Sequence, residues 1–435
     1  MKISIVSLGC SKNLVDSEII TGALKAAGHE ISTEEDSEVI IVNTCGFIGD
    51  AKKESVDTIL ELSKRKENGS CRKLIVTGCL VERYSKELSR ELPEVDAFWG
   101  TGNLLKINEA LEDLPGEKIH RNPPGTLYDP DTPRVLLTPP HYAYVKVSEG
   151  CSRTCSFCII PKMRGIMKSR PVESIAGEVN SLALRGVREI NLIAQDMTSY
   201  GRDIGTSLEN MLRALARTDG IKWIRIHYCY PWGLSDSLID LIAGEEKILP
   251  YIDMPLQHIN DRILSLMDRK TPAKRIRDII QRLRSRIDNL TLRTTFIVGF
   301  PGETDEEFEE LLDFVGETGF DRAGAFKYSQ EEGTPAGVMT GQIPDDIKEE
   351  RYERLMEAQA EVSLRKNNSL IGSTHEGFIE GKENRNYIAR IPSQAPEVDG
   401  HTYIKQTDIF RTGDLVKLRI TKADIYDLYA EIVPV

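Results

Sequence analysis

The chain has 435 residues, more than one ordinary hydrophobic core can organise, so three domains are expected. Hydrophobic residues at 40%, charged residues at 29%, 33 Gly and 20 Pro exclude disordered, collagen-like and disulfide-dense chains. A formal charge of -12 argues against broad contact with nucleic-acid phosphates.

No apolar run approaches the roughly 18 residues that cross a bilayer, and the amino-terminal MKISIVSLGCSKN lacks the cleavage site of a secretory leader. A cytoplasmic protein without a membrane partner is expected. Residues 1–116 repeat a strand-then-helix rhythm, with β-branched runs at 3–7, 39–43 and 74–77 and helical periodicity at 17–27 and 53–64. That pattern predicts an α/β domain with a parallel sheet. Six prolines fall within 117–140, too many missing donors for a helix or a central strand, and the segment reads as a linker.

In residues 141–369, six strand-like runs at 143–147, 189–194, 223–228, 251–254, 294–298 and 324–328 alternate with helices, which predicts an open, partial (β/α)6 barrel. Its site belongs at the carboxyl ends of the strands. Asp345–Ser369 is read as a long helix leaving that barrel. Within 370–435, short runs at 376–380, 387–390, 402–405, 415–421 and 427–433 predict a small antiparallel β-barrel.

Cysteine spacing carries most of the functional information, because a reducing cytosol makes clustered thiols a sign of metal binding or catalysis. Cys151, Cys155 and Cys158 form a C-x-x-x-C-x-x-C run just after the first barrel strand. Three thiolates on one loop reach three corners of an iron-sulfur cluster and leave the fourth iron open to a small chelating ligand. A structural zinc needs four protein ligands, and His141, the nearest histidine, lies at the other end of the strand. Cys10, Cys45 and Cys79 each end a strand of the amino-terminal domain, so a parallel sheet brings all three to one crevice, fit for a second cluster with an open iron. Cys71 precedes its strand and Cys229 has no cysteine nearby in sequence; both are read as structural.

The triplet with Phe157 resembles the signature of the radical S-adenosylmethionine (radical SAM) superfamily, whose partial barrel matches the six strands above. In that family the amino and carboxylate groups of S-adenosylmethionine chelate the open iron, its cleavage releases a 5′-deoxyadenosyl radical, and the protein positions the reacting carbon. With the second trio the chain resembles the methylthiotransferases over almost its whole length, through Ser148-Glu149-Gly150, Ile159-Ile160-Pro161, Arg164-Gly165, Ser169-Arg170-Pro171, Gln195-Asp196, Pro255-Leu256-Gln257-His258 and Phe300-Pro301-Gly302-Glu303-Thr304. The last domain resembles that family's substrate-recognition (TRAM) domain.

Within the family, the stretch from Leu8 to Glu18 and the stretch from Ala395 to Gly400 look like the RimO branch, which modifies an aspartate of small-subunit ribosomal protein twelve. The tRNA-modifying MiaB branch carries Gln-Met-Asn where this chain has Ser11, Lys12 and Asn13. Residues 370–435 hold ten acidic and eight basic side chains, a poor surface for tRNA phosphates and a better one for a basic ribosomal protein.

The resemblance implies methylthiolation at the β-carbon of that aspartate, with two 4Fe-4S clusters and S-adenosylmethionine as methyl donor and radical source. It also implies a reductant protein such as a flavodoxin or ferredoxin, and a sulfur donor. The alternatives are the same chemistry on a tRNA adenosine and a non-catalytic electron carrier; the latter has no use for a six-unit barrel with an open iron. Gln195 and Gln257 end barrel strands and are candidates for S-adenosylmethionine contact. Gly299 and Gly302, by resemblance, let the backbone approach the adenosyl group. Thr304 and Glu307 form a capping box over a helix with Phe308, Leu311, Leu312 and Val315 on its buried face. Arg164 and Arg170 are read as cluster-charge or carboxylate partners, or as solvated side chains. His227 and His258 are read as hydrogen-bonded structure.

Overall fold

The computed structural model describes residues 1–112, 118–384, 386–405 and 409–434, so the expected boundary at 116 falls outside the described residues. The first sheet runs Glu30–Ile31, Lys2–Ser7, Val39–Thr44, Lys73–Gly78, Ala97–Trp99, Ile119–His120, and every pairing is parallel. Successive side chains alternate between its faces. Ile40, Val42, Leu74 and Val76 pack on one side, while Ile3, Val39, Ile41 and Ile75 pack on the other. Burial on both faces explains why these strands read as continuous apolar runs.

The proline-rich segment begins as the edge strand Ile119–His120 and continues as a strap over the helix Ser11–Ala26. The Val135 amide donates to the Glu18 carbonyl at 3.1 Å, and Arg134 pairs with Glu18 and Glu178. Gly22 admits the strap, since a Cβ there would lie 2.1 Å from the Pro133 carbonyl oxygen. This linker is therefore fixed to the domains on both sides of it.

The second sheet takes its six strands in chain order: Tyr142–Lys146, Glu189–Ile193, Trp223–Ile226, Ile248–Asp253, Thr291–Val298 and Arg322–Lys327. Neighbours are parallel and the two end strands do not pair with each other, which leaves the barrel open. Ala143, Val145, Ile190, Leu192, Ile224 and Ile252 belong to the apolar core. By alternation Tyr142, Tyr144, Lys146, Glu189, Asn191, Arg225 and Tyr251 face the lumen, so its lower part is aromatic and charged. The helix Asp345–Ser369 has the expected limits, but it stays against the barrel. It buries Leu355 and Val362 and pairs Arg351 with Glu303 at 2.7 Å. The capping box of Thr304 and Glu307 is present, and Phe314 rather than Leu312 completes the buried face of its helix.

The third sheet is a closed five-stranded barrel in the order Thr374–Glu383, Asn386–Arg390, Thr402–Ile404, Leu428–Ile432, Leu415–Ala423. Its pairings are antiparallel except for Thr402–Ile404 with Leu428–Ile432. A closed ring with an odd number of strands requires at least one parallel pair, so the wholly antiparallel expectation was too strict. This barrel caps the amino ends of the large barrel's strands. Phe378 stacks edge-on against Trp223, and buried Arg390 joins Arg225 on the Glu189 carboxylate. Among the described residues, no helix is long and apolar enough to cross a membrane.

Candidate active site between the amino-terminal sheet and the barrel

Cys10 and Cys79 stand where strands turn into helices. Cys10 caps the helix Ser11–Ala26, and Cys79 opens the helix Cys79–Glu91. Each follows a glycine in the left-handed region, Gly9 at φ 89° and Gly78 at φ 100°. Both glycines also sit in close quarters: a Cβ on Gly9 would lie 2.8 Å from the Cys45 Cβ, and one on Gly78 would lie 2.5 Å from the Thr44 carbonyl. These turns bring Cys10, Cys45 and Cys79 within electrostatic reach of one another. Helix amino termini favour anionic sulfur. Burial nevertheless pushes the Cys79 thiol up to about 12, against the opposing charge of Arg164.

The second trio is carried on the loop between the first barrel strand and the short helix Ile160–Arg164. A two-residue antiparallel pair, Ser148–Glu149 with Lys168–Ser169, closes that excursion at its base. The Cys158 amide donates to the Cys155 carbonyl at 3.0 Å, and burial pushes the Cys158 thiol up to about 12. The Arg153 backbone N–H points at the Cys151 sulfur at 3.4 Å, and Arg269 points at the Cys155 sulfur at 3.7 Å. Arg153 and Arg269 stack on Tyr230 at 4.0 and 4.1 Å, and Arg153 is paired with Asp196 at 2.7 Å.

Both trios open on one cavity of about 410 Å³, whose wall also includes Phe157, Gln195 and Gln257. Gln257 has φ 75°, a left-handed conformation rarely adopted outside glycine, and Tyr228 on the same wall has φ 62°. Gly299 and Gly302 are not part of that wall. A Cβ on Gly299 would meet Lys348 at 2.4 Å, so glycine here admits the helix Asp345–Ser369. Cys71 lies away from the cavity and donates to the Lys73 carbonyl at 3.2 Å, whereas Cys229 is buried in the cavity wall.

Arg164 faces the amino-terminal trio. Its Nε donates to the Cys79 sulfur at 3.2 Å, it pairs with Asp16 at 2.7 Å, and it also reaches Asn13. Lys146 bridges Asp16 at 2.6 Å and Glu149, completing a buried set of two cations and two carboxylates between the domains. Arg170 binds Glu178 and the Lys146 carbonyl and takes no part in the cavity. His227 faces Asn191 at 3.1 Å and His258 lies 3.5 Å from Glu303, and neither lines the cavity. Sequence reasoning missed Asp16, Lys146, Glu149, Arg153 and Arg269. Asp16 and Glu149 lay inside motifs read only as family markers, Arg153 lay unremarked within the cysteine run, and nothing local in the sequence marks the other two.

Family profiles match residues 2–100 (uncharacterized protein family UPF0004), 145–315 (radical SAM superfamily) and 371–433 (TRAM domain). The ribosomal protein uS12 methylthiotransferase RimO of Geotalea uraniireducens is 49% identical over 442 residues, covering 100% of this chain and 98% of its own. Its namesake in Geobacter sulfurreducens is also 49% identical, covering 99% of this chain and 98% of its own. This chain belongs to the RimO family of radical SAM methylthiotransferases. Among solved structures, the radical S-adenosylmethionine methyltransferase TsrM from Kitasatospora setae shares the fold, with a TM-score of 0.55 at 15% identity over 78% of this chain and 77% of its own. The segment matching the TRAM domain sits at the end of the large barrel opposite the six cysteines.

Proposed function

We propose that this chain methylthiolates the β-carbon of an aspartate in small-subunit ribosomal protein uS12. The observation that carries the reading is the convergence of Cys10, Cys45 and Cys79 with Cys151, Cys155 and Cys158 on one cavity. The donor chemistry fits two anionic iron-sulfur clusters, since each trio supplies three thiols and N–H groups of Arg164, Arg153 and Arg269 already point at cysteine sulfurs. Cys151, Cys155 and Cys158 would hold the cluster that binds S-adenosylmethionine, and Cys10, Cys45 and Cys79 the auxiliary one. When bound, these groups would relay the electron, carry the sulfur on the auxiliary cluster, and supply the methyl group and the hydrogen-abstracting radical from S-adenosylmethionine.

The chain's own part is to place and shield. Gln195 and Gln257 offer polar contacts to S-adenosylmethionine from the strand ends, and Phe157 excludes water beside the triplet. Arg164 offsets charge at Cys79, and Arg269 does so at Cys155. Electrons would come from a flavodoxin- or ferredoxin-type protein, and sulfur from a separate donor. The test is mass spectrometry of uS12 and of tRNA after incubation with reconstituted, reduced enzyme and S-adenosylmethionine. A uS12 peptide heavier by one methylthio group at aspartate is expected; a methylthioadenosine in tRNA digests with unchanged uS12 overturns the substrate.

A further inference from the structure

Lys12 lies in the first turn of the helix Ser11–Ala26, two residues after Cys10, and its side chain reaches the shared cavity although the residue is only 5% exposed. Its ammonium sits 3.4 Å from the centre of the Tyr228 ring. Other cations on the wall have partners in the protein: Arg153 has Asp196, Arg164 has Asp16 and Glu149, Arg269 has the Pro255 carbonyl, and Lys327 has Glu349. Among the described residues Lys12 has neither a carboxylate nor a hydrogen-bond acceptor. Burying an ammonium is costly unless an anion or a π face compensates it, and a ring supplies only part of that compensation.

The ring itself is held at a cost. Tyr228 follows the barrel strand Trp223–Ile226 with φ 62°, a conformation unfavourable for a bulky side chain. Its amide donates to Asp253 at 3.2 Å and its carbonyl accepts from Met197 at 3.0 Å, so the backbone is fixed on both sides. Strain of this kind persists where the surroundings over-determine it and collects at ligand sites. The result is a cation fixed over an aromatic platform, facing a cavity, with its hydrogen-bond donors unused.

We infer that the Lys12 ammonium is the recognition point for the side-chain carboxylate of the substrate aspartate. The inference rests on the proposed function and adds the residue that selects the substrate. A carboxylate supplies the partner that no side chain of the protein offers the ammonium, and a charge-assisted bond to it fixes the adjacent β-methylene, which is the carbon to be modified. An asparagine amide or an adenine edge offers no such charge. Lys12 is thus a specificity-determining residue contributed by the amino-terminal domain to a reaction whose other partner sits on the barrel.

The test compares wild type, Lys12→Gln and Lys12→Arg on a uS12-derived peptide carrying the target aspartate, with the asparagine version of the peptide as competitive inhibitor. In wild type, the inhibition constant of the asparagine peptide should exceed the KM of the aspartate peptide by about tenfold or more. In Lys12→Gln the KM should rise to meet that inhibition constant, which itself stays put, while iron content and the KM for S-adenosylmethionine stay at wild-type values. Lys12→Arg should recover part of the preference, since a guanidinium also pairs with a carboxylate. An unchanged preference in Lys12→Gln, a selective rise in the KM for S-adenosylmethionine, or loss of iron would each overturn the inference and leave the proposed function standing. Failure of wild type to modify the aspartate peptide would instead remove the proposed function, and this inference with it.

Discussion

The Arg164 guanidinium donates to the Cys79 sulfur across 3.2 Å, tying the short helix that follows one cysteine trio to a ligand candidate of the other. The same side chain neutralises Asp16 and Glu149 with the help of Lys146. One residue therefore joins the contact between the domains to the surroundings of Cys79.

Arg164→Met should leave two buried carboxylates facing a single lysine and destabilise the protein by about 3–5 kcal/mol. Denaturant unfolding of the apo-protein measures this. Iron analysis of the reconstituted variant should show selective loss from the amino-terminal trio. Unchanged stability would mean that the guanidinium is not the charge bridging the domains.

Replacing Cys10, Cys45 and Cys79 by Ala should lower bound iron from roughly eight atoms to roughly four. Reduced protein should still cleave S-adenosylmethionine to 5′-deoxyadenosine but transfer no methylthio group. Replacing Cys155 alone should abolish the cleavage. Methylthio transfer by either variant would refute this division of roles.

Burial alone would raise the pKa of Glu189, but Arg390 and Arg225 hold it down at about 2. A depressed carboxyl contributes stability that is fully present above its unfolded value of about 4.5 and is lost as pH falls toward 2. Melting temperatures of wild type should fall across that window, and those of Glu189→Gln should fall less steeply there. Parallel curves would show that the Arg390–Glu189–Arg225 cluster does not govern acid stability.

Ending the chain at Ser369 should destabilise the large barrel as well as remove the small one. Trp223 and Leu249 would lose Phe378 and Ala395, and Glu189 would lose Arg390. The loss should be on the order of several kcal/mol, visible as a lower unfolding temperature and a tendency to aggregate. A truncated protein as stable as the full chain would show that the two barrels are energetically independent.

The strands and the cysteines were legible because each leaves a local mark. Val39–Thr44 and Lys73–Gly78 are continuous apolar runs, and Cys45 and Cys79 stand at their ends. Convergence of the two trios on one cavity was not legible, because it depends on how Ser11–Ala26 docks on the barrel through Asp16, Lys146 and Arg164, residues up to 148 apart in sequence. Gly299 carried a family expectation of ligand contact, but its neighbour is Lys348 from a helix that the sequence reading had sent away from the barrel. Lys12 was legible only as one letter of a motif, since its missing partner becomes visible only in three dimensions.

The lumen of the large barrel holds one further consequence. Tyr142 reaches Glu397 at 3.2 Å, Tyr144 reaches the Pro396 carbonyl at 3.3 Å, and Tyr251 reaches Asp399 at 2.8 Å, so residues 396–399 of the small barrel stopper the amino end. A vessel stoppered at its base is entered from its other end or through the seam between its unpaired edge strands. Under the proposed function, substrate and S-adenosylmethionine would reach the cysteines from the side away from the small barrel, so its contacts would close the base without screening the site.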